Sequence, residues 1–178
     1  CVVASISKEG LLLSFKDKKT GVNYVGSASN KFCFYRDVPR AYEAWDIDSQ
    51  VPQRIIEPKI KTKATVILKE GIRASIKFEH EVLSSSIEQV ISLDSGKKRL
   101  DFNTAVHWNE KHKLLKVAFD TGITSDEAAN QIQFGYIMRP THASRQFDAD
   151  RFEVCNHSYT ALFDSTHGAA VLNDCKYG

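Results

Sequence analysis

The chain has 178 residues, of which 42% are hydrophobic, and its 24 basic and 22 acidic residues give a formal net charge of +2. This composition is typical of a globular protein and argues against disorder, which needs low hydrophobicity together with high net charge. The basic residues are mixed with acidic ones, so the basic surface of a nucleic-acid-binding protein is not predicted. No apolar run approaches the roughly 20 residues of a membrane helix, so no membrane partner is predicted either.

Alternation of apolar and polar residues predicts β-strands along most of the chain. A first hairpin is predicted to join residues 11–16 to residues 22–25 through a polar turn, and an aromatic strand follows at residues 32–35. Residues 36–58 hold three of the four prolines and are predicted to form a long irregular connection. Within that connection, Trp45 is predicted to pack onto a sheet.

The clearest strand pattern is at residues 72–79, where four apolar residues alternate with Arg73, Ser75, Lys77 and Glu79. One helical turn is predicted at residues 124–129. So many short strands predict an all-β fold, a sandwich or barrel, and the lack of linkers and repeats predicts one domain over residues 1–178. The further strands are predicted at residues 62–68, 87–93, 100–108, 114–119, 131–138, 152–159, 161–163 and 169–172.

The four cysteines are widely separated and include no C-x-x-C pair: Cys1, Cys33, Cys155 and Cys175. This spacing predicts neither a zinc site nor a disulfide scaffold. We expect reduced, partly buried thiols, which favour a cytoplasmic location.

No catalytic residue can be assigned from the residues alone. Hydrolysis by two facing carboxyl groups needs them about 5 Å apart, and the candidates are Asp46 with Asp48, Asp148 with Asp150, and Asp174. Turn-forming aspartates account for the same residues equally well. No H-E-x-x-H or comparable metal-ligand spacing occurs.

The densest polar and aromatic cluster is at residues 107–112, which include His107, Trp108 and His112. The cluster has two interpretations, a strand end followed by a turn or part of a sugar-facing surface. The second is open because a pyranose ring presents an apolar C–H face that can lie against an aromatic ring.

Three segments carry longer motifs. Residues 37–48 contain a D-x-P loop followed by E-A-W-D-I, and residues 99–117 end in W-N-E-K-H-K-L-L-K-V. Residues 132–178 contain I-Q-F-G, R-P-T-H, R-F-E-V and L-N-D-C-K-Y-G. In this order the motifs resemble the C-terminal β region of the glycoside hydrolase family 38 α-mannosidases, in the branch with bacterial and cytosolic enzymes.

The resemblance implies a retaining α-mannosidase whose N-terminal catalytic domain holds the nucleophile, the acid/base carboxylate and a divalent metal, usually zinc. It implies that this chain is a fragment of the C-terminal region, folded as part of an antiparallel, galactose-mutarotase-like supersandwich. No catalytic residue, metal or cofactor is expected in the chain itself. Further strands that family members carry are missing, so we expect sheet edges that another domain or chain covers.

The resemblance also implies loops that pack toward the catalytic domain, and turn chemistry is the alternative explanation of their residues. The implied partners are the catalytic and helical domains of the parent chain and mannose-containing glycans, and homo-oligomer formation is left open. Two other functions remain open, a carbohydrate-binding module without catalysis and an unrelated epimerase or lyase that uses His107 and His112. The candidate substrate or interdomain residues are Arg139, His142, Asn173, Asp174, Tyr177, Trp108 and His107.

Overall fold

The computed structural model describes residues 1–42, 45–68 and 71–174, and its regular structure is almost entirely β. The two helical segments in these ranges are short, a 3-10 turn at Val51–Gln53 and helix α1 at Gln146–Ala149. The strands are β1 (Val2–Ile6), β2 (Leu12–Asp17), β3 (Lys31–Arg36), β4 (Ile55–Ile56), β5 (Ile60–Leu68), β6 (Arg73–Val82), β7 (Ser85–Asp94), β8 (Leu100–His107), β9 (Lys113–Ala118), β10 (Glu127–Ile132), β11 (Gly135–Pro140), β12 (Tyr159–Phe163) and β13 (Gly168–Leu172).

The strands form four antiparallel sheets. Two are small, β1-β2 and β4-β3-β9, and two have four strands each. We call the sheet β5-β6-β7-β8 the long sheet and the sheet β11-β10-β12-β13 the short sheet. The arrangement confirms the predicted all-β, antiparallel sandwich-type fold. Within the described ranges, no helix has the length and apolar character that crossing a membrane requires.

The core lies where the long sheet meets the β4-β3-β9 sheet. Phe34 of β3 packs against Val82 and Ile87, which flank the turn between β6 and β7, and all three side chains are buried. These residues alternate with polar ones along their strands, so each strand contributes one apolar face. The partly buried side chains around them are Phe32, Ile56, Trp108 and Leu115.

The opposite face of the long sheet is charged, as the alternation predicts. Lys77 of β6 forms an ion pair with Glu88 of β7 at 2.7 Å. Two details differ from the predicted pattern. Ser75 is buried on this polar face because its hydroxyl bonds that of Ser92 at 2.8 Å, and Ile72 is 84% exposed because it precedes β6.

A buried hydrogen-bond network joins the long sheet to the chain that leads into β3. Asn30, with a φ of +57°, donates its amide to the carbonyl of Gly10 at 2.9 Å and to Gln89 Oε1 at 2.6 Å. Gln89 Nε2 in turn donates to Thr104 Oγ1 at 2.9 Å. These buried polar groups are satisfied by one another, which makes the contact specific as well as stable.

His80 of β6 is also buried, at 2% exposure. Its ring stacks on Phe78 and meets the edge of Phe32, and its Nδ1 lies 2.9 Å from Thr62 Oγ1. Its Nε2 is buried without a hydrogen-bond partner. Burial therefore lowers the pKa of His80, since a charged imidazole here would lose its hydration.

A second link joins the β1-β2 hairpin to the turn between β7 and β8. Lys98 Nζ lies 2.5 Å from a carboxylate oxygen of Asp17, whose side chain is buried. The hydrogen bond from Lys98, with help from the backbone N–H of Lys19, lowers the pKa of Asp17 to about 2. The turn between β7 and β8 thus supplies one contact to a neighbouring sheet.

Three predicted elements are wrong in detail. The strand predicted at residues 131–138 is a tight hairpin, because the chain turns between β10 and β11 and Phe134 takes a left-handed φ of +63°. Residues 124–129 form no helical turn, and the last three of them belong to β10. Residues 152–159 are mostly irregular, and helix α1 precedes them.

The first predicted hairpin is present as a short pairing, in which the N–H of Asp17 donates to the carbonyl of Val22 and the N–H of Tyr24 to that of Phe15, both at 2.9 Å. The longer ladder of β2 is with β1, a strand that was not predicted. The thiols of Cys1, Cys33 and Cys155 are free, but Cys1 and Cys155 are exposed rather than partly buried. Cys175 lies outside the described residues.

Candidate functional site

Arg139 lies near the end of β11, where it pairs with Ala128 of β10. Its Nη1 donates a hydrogen bond to the carbonyl oxygen of Cys155 at 2.8 Å. Cys155 belongs to residues 141–158, which join β11 to β12 and which we call the crossing segment. Arg139 therefore ties this segment to the short sheet.

Asn173 holds the same segment from the other side. Its Nδ2 donates to the carbonyl of His157 at 2.7 Å, and its backbone N–H donates to the carbonyl of Ser158 at 2.9 Å. Ser158 also donates its N–H to Gln131 Oε1 at 2.7 Å. The structure thus brings Arg139 and Asn173, two of the predicted site residues, to one short stretch of backbone.

Helix α1 in the crossing segment is organised around the buried carboxylate of Asp148. One oxygen of Asp148 accepts from the Nε of Arg145 at 2.8 Å and from its backbone N–H at 3.2 Å, and the other accepts from its Nη2 at 3.1 Å. The hydrogen bonds from Arg145 lower the pKa of Asp148, so this carboxylate is ionised and paired. Asp150, its partner in the predicted carboxyl pair, accepts from Gln146 Nε2 at 3.3 Å.

A cavity of about 190 Å³ lies between the short sheet and the crossing segment. Thr160 Oγ1 donates to Asn130 Oδ1 at 3.0 Å on the sheet side, and Asn130 is itself buried. The remaining lining is apolar, from Ala128, Pro140 and Val154. The polar side chains that line the cavity are Asn130, Arg139, Asp148, Arg151 and Thr160.

The other predicted loop residues lie at the surface. His142 is exposed, and it is close enough to Asp148 for its charge to contribute to the lowered pKa of that carboxyl. Asp174 is exposed next to Asn173. Tyr177 lies outside the described residues. Substrate or interdomain contact by these residues stays a prediction.

The cluster at residues 107–112 is a strand end followed by a turn, which confirms one of its two interpretations. β8 ends at His107, which is exposed, and β9 begins at Lys113. The ring of Trp108 stacks on Phe34 at 6.4 Å between centroids and belongs to the core. The structure therefore separates His107 and Trp108 from the cavity beside Arg139, and their contact with a ligand stays a prediction.

The exposed aromatic residues of the chain include Tyr42 and Trp45, in one turn of the irregular connection. The N–H of Trp45 donates to the carbonyl of Tyr42 at 2.9 Å, and the two side chains are 77% and 92% exposed. The prediction that Trp45 packs onto a sheet is therefore wrong. The turn holds the ring outward, and a second cavity of about 370 Å³ on the same connection is lined by Arg36, Val38 and Arg54.

The sequence reasoning missed Arg145, Arg151, Asn130 and Thr160. The spacing of Arg145 and Asp148 by three residues was a usable signal, because residues at i and i+3 meet on one side of a helical turn. No pattern in the sequence identifies Asn130, because only the pairing of β10 with β12 places it beside Thr160. Across the described ranges, no group of three or more His, Cys, Asp or Glu side chains is placed to hold a metal ion.

Comparison with known proteins gives a family and a fold. The family model described as "Glycosyl hydrolases family 38 C-terminal domain" matches residues 2–178. The chain is 38% identical over 157 residues to the human protein named "Alpha-mannosidase 2C1", with 86% of this chain covered. It is 33% identical over 187 residues to the Saccharomyces cerevisiae protein named "Alpha-mannosidase", with 99% of this chain covered.

The same comparison shows how much of these relatives the chain represents. It spans 15% of the length of the human protein and 17% of the length of the yeast protein. Among solved structures, "The crystal structure of an alpha-mannosidase from Enterococcus faecalis V583" superposes with a TM-score of 0.76 at 15% identity. That match covers 97% of this chain and 22% of the other, and at this identity it supports the fold alone.

Proposed function

Because this chain belongs to the family of glycosyl hydrolases family 38 C-terminal domains, we propose that it is the C-terminal β domain of a retaining α-mannosidase. The parent protein removes terminal α-linked mannose from glycans or mannosides, and this domain supports the substrate site without supplying the reacting groups. The family match over residues 2–178 carries the proposal. The match covers nearly every residue, which supports a single domain over residues 1–178.

The chemistry of the described residues supports a non-catalytic role. A retaining glycosidase needs two carboxyl groups about 5 Å apart on either side of the scissile bond. Asp148 is occupied by Arg145, and Asp164 accepts from Thr166 and from the N–H of His167. In this proposal both reacting carboxylates come from another domain of the parent chain.

Zinc is the metal that this family implies, and the described residues do not fit it. A zinc site in a catalytic domain takes three protein ligands from His, Cys, Asp or Glu side chains. No such group exists in the described part of the chain. In this proposal the metal of the enzyme lies in the parent's catalytic domain.

The exposed surface of the short sheet supports a contact with the other domains of the parent. The side chains of Phe134, Tyr136 and Leu172 are exposed near one end of this sheet, and Asp174 follows β13 at that end. Apolar and aromatic residues exposed together are typical of interfaces. In this proposal Asp174 lies at the domain boundary and Arg139 and Asn173 hold the crossing segment in shape, while His142, which follows β11 at the opposite end of the sheet, is a second point of contact.

An assay with a nitrophenyl α-mannoside tests the proposal. The 178-residue chain and its full-length parent are measured side by side at equal concentration. We expect hydrolysis by the parent and none by the chain alone. Activity of the chain alone would contradict the assignment of the chemistry to other domains, and a parent inactive on all α-mannosides would contradict the proposed activity.

Free thiols favour the cytoplasm as the location of the parent protein. The sulfur atoms of Cys1, Cys33 and Cys155 form no disulfide, and disulfides are rare in the reducing cytosol. Measuring the distribution of the tagged parent between cytosolic and secreted fractions tests this part of the proposal. Recovery in the secreted fraction would contradict it.

A carbohydrate-binding role without catalysis is the second candidate, and the turn that carries Tyr42 and Trp45 favours it. Two exposed aromatic rings offer apolar faces on which sugar rings can stack. Calorimetric titration of the chain with mannose oligosaccharides tests it, and we expect saturable binding that Trp45→Ala abolishes. Tyr136→Ala, which removes an exposed ring from the short sheet, is the matched control.

The structure shows which variant tests carbohydrate binding without disturbing the fold. Trp108→Ala would remove a side chain that stacks on Phe34 in the core, so lost binding could reflect lost folding. Trp45→Ala leaves the core untouched. Binding that survives Trp45→Ala, or no binding by the unaltered chain, would exclude the carbohydrate-binding role of this turn.

A further inference from the structure

The residues that line the cavity between the short sheet and the crossing segment are unequal in charge. They include two arginines, Arg139 and Arg151, and a single acidic residue, Asp148. Both oxygens of Asp148 accept hydrogen bonds from Arg145. This carboxylate therefore compensates Arg145 and leaves the two lining arginines uncompensated.

The contacts of Arg139 and Arg151 bear this out. Arg139 donates to the neutral carbonyl of Cys155 at 2.8 Å. The guanidinium carbon of Arg151 lies 5.4 Å from the centre of the Phe147 ring. In the ranges that the structure describes, neither guanidinium forms an ion pair with a carboxylate. Two arginines without a carboxylate partner thus line one small cavity, Arg139 half-buried and Arg151 exposed, and both charges attract an anion placed there.

We propose that this cavity binds a phosphate group, either inorganic phosphate or the phosphate of a sugar phosphate monoester. The site goes beyond the proposed mannosidase function and does not depend on it. A guanidinium presents its N–H donors in a fork that matches the oxygens of phosphate, and charge-assisted hydrogen bonds of this kind are strong. A phosphate dianion also matches the two uncompensated charges, which a carboxylate with a single charge does not.

The rest of the lining suits this ligand. The apolar side chains of Ala128, Pro140 and Val154 reduce the local dielectric, which strengthens charge–charge attraction inside the cavity. Asn130 is buried, and it accepts from Thr160 and donates to the carbonyl of Ala128 at 3.1 Å, so the sheet side is rigid. A volume of about 190 Å³ admits a phosphate together with part of an attached sugar.

Calorimetric titration of the 178-residue chain at low salt tests the site with three probes: inorganic phosphate, mannose 6-phosphate and unphosphorylated mannose. We expect saturable binding of both phosphates at one site and no binding of mannose in this cavity. Affinity that is higher for mannose 6-phosphate than for inorganic phosphate would identify the monoester as the ligand. Equal or lower affinity would identify free phosphate.

Arg151→Gln is the decisive variant, because its guanidinium contacts a ring and no carboxylate, so its removal should leave the fold intact. We expect at least a tenfold loss of phosphate affinity. Arg99→Gln is the matched control, since Arg99 pairs with Asp101 of the long sheet. The phosphate affinity of this variant should stay within twofold of that of the unaltered chain. Urea unfolding of each variant confirms that it is folded.

Three results would overturn the site. The first is no saturable binding of either phosphate by the unaltered chain. The second is an Arg99→Gln variant that loses as much affinity as Arg151→Gln, which would indicate attraction by net charge alone. The third is unchanged affinity in folded Arg151→Gln. None of these outcomes bears on α-mannoside hydrolysis by the parent, so the two proposals fail independently.

Discussion

The long sheet and the short sheet have the same number of strands but are stabilised differently. In the long sheet β6 and β7 are ten residues each, and their apolar faces supply Val82 and Ile87 to the core. In the short sheet every strand has five or six residues, and its buried polar groups include Asn130. The long sheet contributes apolar side chains to the core in addition to buried polar contacts such as Gln89 with Asn30, whereas the short sheet contacts the crossing segment through individual hydrogen bonds.

This difference separates stability from recognition. Apolar packing is non-directional and contributes in proportion to buried area, so we expect the long sheet to contribute more to the folding free energy than the short sheet. Hydrogen bonds such as those from Arg139 and Asn173 contribute less, but they fix the position of a loop. Loops positioned by a rigid scaffold are where binding residues concentrate. Three variants, from the largest expected effect to the smallest, test the comparison.

Ile87→Ala should have the largest effect. The side chain is 1% exposed and packs in the core with Phe34 and Val82, so its loss removes apolar burial and leaves a cavity. We expect the free energy of unfolding to fall by about 2–5 kcal/mol, measured by urea denaturation. Ile72→Ala makes the same substitution at an exposed position and should change it by less than about 0.5 kcal/mol. Equal effects of the two variants would contradict the location of the core.

Asp148→Asn should have a smaller and local effect. The variant removes the charge that pairs with Arg145, so helix α1 should open more often. Hydrogen exchange followed by mass spectrometry should show faster exchange in residues 145–158 and unchanged exchange in β7. Asp150→Asn is the control, because Asp150 accepts one long hydrogen bond from Gln146. Faster exchange throughout the long sheet would show that the crossing segment and the long sheet do not open independently.

His80 should give the smallest effect, a pH dependence of stability that arises in the long sheet. Burial lowers the pKa of His80 from its ordinary 6.5, so the unfolded chain binds more protons than the folded chain between the two pKa values. The contribution of the neutral imidazole is full above pH 6.5 and is lost as the pH falls from 6.5 through the folded-state pKa. Urea midpoints measured from pH 7.5 to pH 5 should show this decline.

Two variants isolate the titration of His80. His80→Phe keeps an aromatic ring between Phe32 and Phe78 but cannot titrate, so the decline should become shallower. His107→Gln removes an exposed histidine and should leave the decline as it is. An unchanged decline in His80→Phe would place its origin elsewhere in the chain.

The sequence predicted the regular parts of this protein well and the candidate site poorly. The period-two pattern located β6 and β7 because each has one face buried, and burial is what imposes the alternation. The motif R-P-T-H drew attention to Arg139 and His142 through a family resemblance. The sequence could not show that Arg139 bonds the carbonyl of Cys155, since that contact joins residues 16 positions apart in an irregular segment.

The sequence by itself determined the all-β class, the family and the strands whose apolar face is buried. Local periodicity and motif order are properties of the chain alone, and they need no knowledge of how the sheets pack. The tertiary structure decided that Trp108 lies in the core while Trp45 lies in solvent, and that two arginines share one cavity. These outcomes depend on contacts between residues that are distant in sequence. Such contacts leave no periodic pattern in the sequence, and a tryptophan side chain is compatible with the core as well as with the surface.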